Sequence, residues 1–156
     1  MKKFLLILTL SVGICQAQVY TAAKNTALTT AAEVVTIQQP ATGSRQVTFI
    51  SVYFDCSVAC QFTLERNGTA ASSTSLAVKN VNPNETAPSS VAWSSSNVGV
   101  GTTIGIYNCA SACALSIDLT GVAFSQGSTA GTNITMRSNS ITGTVDVIFK
   151  FKEASI

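Results

Sequence analysis

In the C-terminal run TVDVIFKFK, residues 144–152, an apolar side chain recurs at every second position. Val145, Val147, Phe149 and Phe151 share one face of an extended chain, while Asp146, Lys150 and Lys152 point the other way. Successive side chains of a strand alternate between faces, so this run is a strand with one buried and one solvated side. Short alternating runs of Val, Ile, Thr and Phe recur along the chain between Gly, Asn, Ser and Pro. Nothing after the first seventeen residues carries a helical period. A chain built only of strands buries its apolar faces by stacking sheets or closing a barrel.

Eight further strands are expected, at 32–38, 45–55, 61–66, 74–79, 89–95, 102–108, 114–124 and 133–138. The segment 45–55 is long and apolar on both faces, which suits a central strand. Asn67-Gly68 after the 61–66 strand is a strong hairpin signal. Strands of this number and turn spacing predict an all-β fold: a single-domain antiparallel β-sandwich of about eight or nine strands. A final strand returning to pair near 45–55 would make it a jelly roll.

Residues 1–17 read as a secretory signal peptide, leaving a β-sandwich domain over 18–156. Lys2 and Lys3 precede the apolar run Phe4 to Ile14, and small residues permit cleavage after Ala17. That run is too short to span a bilayer, which needs roughly 20 residues. The expected location is therefore secreted, extracellular or periplasmic, with no membrane attachment after cleavage. Cleavage removes two of the nine basic residues, leaving seven against seven acidic ones. No basic cluster remains to neutralise phosphates, which excludes a nucleic-acid partner.

Four of the five cysteines follow the leader, as two C-x3-C pairs: Cys56 and Cys60 in FDCSVACQF, Cys109 and Cys113 in YNCASACAL. A four-thiolate zinc site is one reading, but zinc knuckles favour two intervening residues in at least one pair. A redox pair wants C-x-x-C at a helix N-terminus, and neither is present. Export favours disulfides, and four cysteines allow three connectivities. Local pairing, Cys56–Cys60 and Cys109–Cys113, is expected because each pair brackets three residues between two strands, as across a hairpin. The last loop residues, Ala59 and Ala112, lack the left-handed preference such hairpins want, so a covalent clasp would help them. If every strand between the pairs reverses direction, both cysteine loops lie at one rim. The 80–88 and 138–143 loops fall at that rim by the same count.

The chain has no histidine, which excludes Ser-His-Asp and Cys-His catalysis and histidine metal ligation. Its carboxylates, Glu33, Asp55, Glu65, Glu85, Asp118, Asp146 and Glu153, are scattered as on solvated faces. No catalytic residue, metal site or cofactor is expected. Tyr53, Trp93 and Tyr107 are candidates for a sugar-stacking platform, against the plainer reading of Trp93 as core packing. NGT (67–69), NET (84–86) and NIT (133–135) match the N-glycosylation pattern.

The segments YTAAKNTALTTAAEVVTIQQPATGSRQV and GTNITMRSNSITGTVDVIFKF resemble small jelly-roll proteins of bacteria and their phages, which are similar to the TNF-like sandwich. The resemblance implies a structural or binding protein that commonly trimerises. The leader and the doubled C-x3-C depart from a virion protein made in the cytoplasm. The functional expectation is a secreted, non-enzymatic protein acting through self-assembly or surface contact, as an oligomer, surface or filament subunit, or adhesin-like module. A carbohydrate-binding, lectin-like module is the alternative, with glycans as partner.

Overall fold

The structure is a computed structural model that describes residues 17–28, 32–38, 45–66, 74–82, 91–95, 101–124, 133–140 and 142–155. Of the expected leader only Ala17 falls among them. Every described element is a strand. In chain order they are β1 (Gln18–Ala27), β2 (Ala32–Gln38), β3 (Arg45–Cys56), β4 (Cys60–Arg66), β5 (Thr74–Leu76) and β6 (Val78–Asn80). Then follow β7 (Val91–Ser95), β8 (Thr102–Cys109), β9 (Cys113–Asp118), β10 (Asn133–Ser138) and β11 (Thr144–Ser155).

These strands form two antiparallel sheets, ordered β6-β1-β11-β3-β9 and β5-β7-β2-β10-β4-β8. Setting β5 to β7 aside leaves β1-β11-β3-β9 facing β2-β10-β4-β8. That wiring is the jelly roll, in which the chain folds back on itself between two sheets. The last strand lies beside the long 45–55 segment, as its pattern implies, and pairs with β3 along almost its whole length.

The sequence expectations need correction at several points. Residues 18–27, which are not among the nine expected strands, include Ala, Lys and Asn, of weak strand preference. They form β1 through a ten-residue ladder with β11, which outweighs propensity. The 74–79 segment is not one strand: β5 joins the second sheet and β6 the first. The strand after the second cysteine pair stops at Asp118. Its carboxylate accepts hydrogen bonds from the Thr120 amide (2.8 Å) and hydroxyl (2.6 Å), and Gly121 takes φ +93°. Leu119 and Phe124 are thereby buried, while Phe124 still donates to the Val47 carbonyl. Finally, β4 and β5 do not form a hairpin around Asn67-Gly68. Three strands separate them in their sheet, and both run the same way.

β3 is not apolar on both faces. Its ladder with β11 shifts between Ser51 and Phe49, leaving Ile50 as an extra residue. A one-residue bulge inverts the phase of everything beyond it. Val47 and Phe49 therefore face the core on one side of the bulge, and Val52, Phe54 and Cys56 on the other. Gln46, Ser51, Tyr53 and Asp55 are left on the outer face.

The core fills the space between the sheets. Phe49 packs against Phe124, Phe149 and Phe151, with centroids 5.2, 5.8 and 6.2 Å away. Nearer the cysteines, Phe54 of one sheet meets Phe62 of the other at 4.3 Å. Each buried phenylalanine contributes about 1.5–3 kcal/mol by leaving water.

Candidate functional site

The cysteine pairs do not close hairpins. β3 lies in one sheet and β4 in the other, so residues 57–59 carry the chain across the sandwich. Residues 110–112 do the same from β8 to β9, in the opposite sense. Each C-x3-C is thus an arch between sheets. The missing turn glycine marks a crossover, where a left-handed hairpin residue is not required. Disulfides join Cys56 to Cys60 and Cys109 to Cys113, with Cα atoms 6.6 and 5.9 Å apart. Stacked sheets normally stand about 10 Å apart, so the sandwich narrows at this corner. Each bridge fastens one sheet to the other.

The arches lie side by side. Cys56 is paired with Cys113 in the β3–β9 ladder, and Cys60 with Cys109 in the β4–β8 ladder. All four Sγ atoms fall within 4.8 Å of one another, and Cys56 Sγ is 3.8 Å from Cys113 Sγ. Cys56, Cys60 and Cys109 are buried and Cys113 half-buried.

Both arches share one rim, as the alternation count implies, but the strands between do not alternate. β4 and β5 run away from the cysteines, β7 and β8 towards them, and the two departures cancel. The 80–88 loop is consequently misplaced by the count. Asn80 pairs with Tyr20 and the Val81 amide donates to Val19, at the end of β1 far from the arches. Its remaining residues, 83–88, lie outside the described residues.

The described residues of the 138–143 segment do lie at the cysteine rim. The Asn139 amide donates to the Gln61 carbonyl, and its side chain donates to Thr63 Oγ1 at 2.6 Å and Gln61 Oε1 at 2.9 Å. Gln61 in turn donates to Asn108 Oδ1 at 2.7 Å. On the other side, the Ser57 amide donates to the Thr144 carbonyl and the Thr144 amide to Ser57 Oγ. Gly143, at φ +90°, packs so tightly on the first arch that an added Cβ would stand 2.5 Å from Val58 Cγ2. Gly143→Ala combines that clash with a disfavoured backbone. It is expected to lower the unfolding free energy by about 1–3 kcal/mol, read from urea denaturation of the oxidised protein.

On the outer face of the same sheet, Thr36 and Thr135 are buried and share a hydrogen bond of 2.9 Å. Beside them Glu65 contradicts the expectation of solvated carboxylates: it is 1% exposed. Its Oε1 accepts from Arg137 Nη1 at 3.1 Å and its Oε2 from the Gly101 amide at 3.2 Å. Glu65 opposes Thr135 and Arg137 opposes Thr63, so the pair is a diagonal cross-strand contact. Glu153 is likewise buried.

The aromatic candidates are separated. Tyr107 points inward from β8, its ring centroid 6.0 Å from that of Phe54. Tyr53 lies on the outer face of the other sheet, half-buried, and donates to Asp55 Oδ2 at 3.1 Å. That hydrogen bond raises the Tyr53 pKa, with burial and the Asp55 and Asp146 charges adding to it. The two carboxylates face each other across the β3–β11 ladder, and Asn25 donates to Asp146 at 2.5 Å. Asp118 is lowered by its hydrogen bonds from the Thr120 hydroxyl and amide. Trp93 lies in β7 opposite Thr36 and Ser75, with its side chain outside the described residues. Of the glycosylation matches, Asn133 is buried in β10, and the other two lie outside the described residues.

Sequence reasoning missed the side of the sandwich formed by β8 and β9. β8 and β9 are the outermost described strands of their sheets and lie on the same side. Ile104 and Ile106 on β8 are 46% and 58% exposed, and Leu115 on β9 is 41% exposed. The signal was present in TTIGIYN, whose isoleucines are two apart and uncharged, but only the sheet order makes that strand an edge. Among the described residues no helix is long and apolar enough to cross a membrane. No family model, curated protein or solved structure matches this chain.

Proposed function

We propose that this chain is exported and works as a non-enzymatic building block that associates with further copies of itself along the β8–β9 side. The contrast between the two sides of the sandwich carries the reading. At one side, β5 and β6 have three residues each and β6 contains Lys79, the short or charged form that discourages edge pairing. At the other, β8 has eight residues and β9 six, with no lysine, arginine or proline in either. The β8 edge, uncharged and bearing the exposed Ile104 and Ile106, is a template for another strand. Antiparallel pairing of β8 with β8 of a second copy, about a twofold axis, would extend one sheet and cover Ile104 and Ile106 on both. Export rests on the basic and apolar pattern of residues 1–17 and on disulfides that suit an oxidising compartment.

Size-exclusion chromatography with light scattering on the oxidised protein is the test. The mature chain is expected to run as a dimer or larger, and Ile106→Lys as a monomer. Ile106 is an exposed edge residue, so its substitution should shift stability by no more than about 0.5 kcal/mol. A wild-type protein that is monomeric throughout the concentration range overturns the proposal.

A further inference from the structure

We infer that the four cysteines, when reduced, form a tetrathiolate site for one Zn2+ per chain. The C-x3-C spacing counts against a zinc knuckle, in which each short loop wraps the ion by itself. Here the ladders do that work. Cys56 stands opposite Cys113 and Cys60 opposite Cys109, so two arches from two sheets bring four sulfurs to one point. Tetrahedral Zn2+ holds its sulfurs at about 2.3 Å, which sets them roughly 3.8 Å apart. The Sγ atoms of Cys56 and Cys113 already stand at 3.8 Å, and none of the four is more than 4.8 Å from another. Opening the two disulfides lets the remaining sulfurs spread to that spacing at a corner where three of the four cysteines are buried. An all-thiolate set selects a soft d10 ion over Ca2+ or Mg2+.

The balance is simple. A dithiol reductant gives two electrons and two protons to each disulfide and becomes a disulfide itself. Zn2+ then displaces the four thiol protons and binds the thiolates. Disulfides and metal exclude each other, so the corner has two alternative closures. One suits an oxidising compartment, the other a chain that has not yet been oxidised.

The test titrates the anaerobic, fully reduced mature protein, residues 18–156, with Co2+ as a spectroscopic probe and then with Zn2+. The expected result is one Co2+ per chain with the charge-transfer bands of a tetrahedral four-thiolate site, displaced by equimolar Zn2+, and no uptake by the oxidised protein. Native mass spectrometry should show one Zn2+ in a monomeric or oligomeric chain at that same ratio. Cys113→Ser, which removes the least buried ligand, should weaken binding at least about tenfold while keeping three thiolates. Near-UV circular dichroism follows the fold throughout. If reduction unfolds the chain, Zn2+ is expected to restore the native signal, because binding to a site absent in the unfolded state is folding energy. A reduced chain that takes up no stoichiometric metal, or binds it without thiolate charge-transfer bands, overturns the inference.

Discussion

Replacing Phe49 with alanine is expected to lower the unfolding free energy by about 3–5 kcal/mol, since deletion of a buried ring adds a cavity to the lost transfer energy. The position is unforgiving because Phe49 is touched from several sides. Phe124 meets its ring edge-on, Phe149 and Phe151 approach from the neighbouring strand β11, and the residue is 1% exposed. Those neighbours belong to paired strands or to a segment tied to β3, so they cannot collapse into the space without breaking ladders. The loss is about a fifth or more of the 5–15 kcal/mol that holds a typical domain together. The thermal midpoint should fall by roughly 10 °C or more. Phe49→Leu keeps most of the volume and should cost less than half as much. An alanine variant within about 1 kcal/mol of wild type would mean that the ring is not packed as described.

Phe49 also shows why the sequence reveals the class of this fold more readily than its details. The alternation in β11 is uninterrupted on its core face, and from it a half-buried strand follows directly. β3 holds the same information, broken by one inserted residue at Ile50. Without the partner strand, two runs in opposite phase look like a strand apolar on both faces. β1 fails for the opposite reason: only Tyr20 and Ala22 are buried along it, and its place is secured by ten paired residues of β11 far away in sequence. Local pattern reports side chains that meet the core. It does not report ladders formed with a distant strand.

The cysteine corner divides in the same way. Local pairing was legible, because three intervening residues hold two Cα atoms within disulfide reach whether the chain turns within a sheet or crosses between sheets. The difference between hairpin and arch was not legible. It depends on which sheet β4 joins, and that choice is made by Phe62 packing on Phe54 and by the β4–β10 ladder. The distinction alters what the bridges do. A clasp on a hairpin stabilises one turn, whereas these bridges join the two layers at their narrow edge. Each five-residue ring stabilises by about 2 kcal/mol through chain entropy in either case. Only the arch geometry brings four sulfurs together.

Arg137→Met should be nearly as damaging as the loss of Phe49, and for a reason that no apolar pattern reveals. Glu65 is buried and its carboxylate has two described donors, Arg137 and the Gly101 amide. Removing one partner of a buried ion pair typically costs 3–5 kcal/mol, because the other charge stays out of water uncompensated. Arg137 is itself 18% exposed, so water can replace part of what it supplied, and about 3 kcal/mol is the reasonable expectation. The pair as a whole is worth far less than that figure suggests. Desolvating both ions offsets much of their attraction, and Arg137 Nε is buried without a hydrogen-bond partner among the described residues. The double variant Glu65→Leu/Arg137→Met should therefore recover most of the loss, ending within about 1–2 kcal/mol of wild type despite carrying both changes. Denaturant titrations of wild type, both single variants and the double variant complete the cycle. Additive losses would show that the two side chains act independently, and that Glu65 owes its burial to its strand position alone. A double variant more stable than Arg137→Met would establish that this charge pair, on a face the sequence presents as solvated, is held for its geometry across β4 and β10.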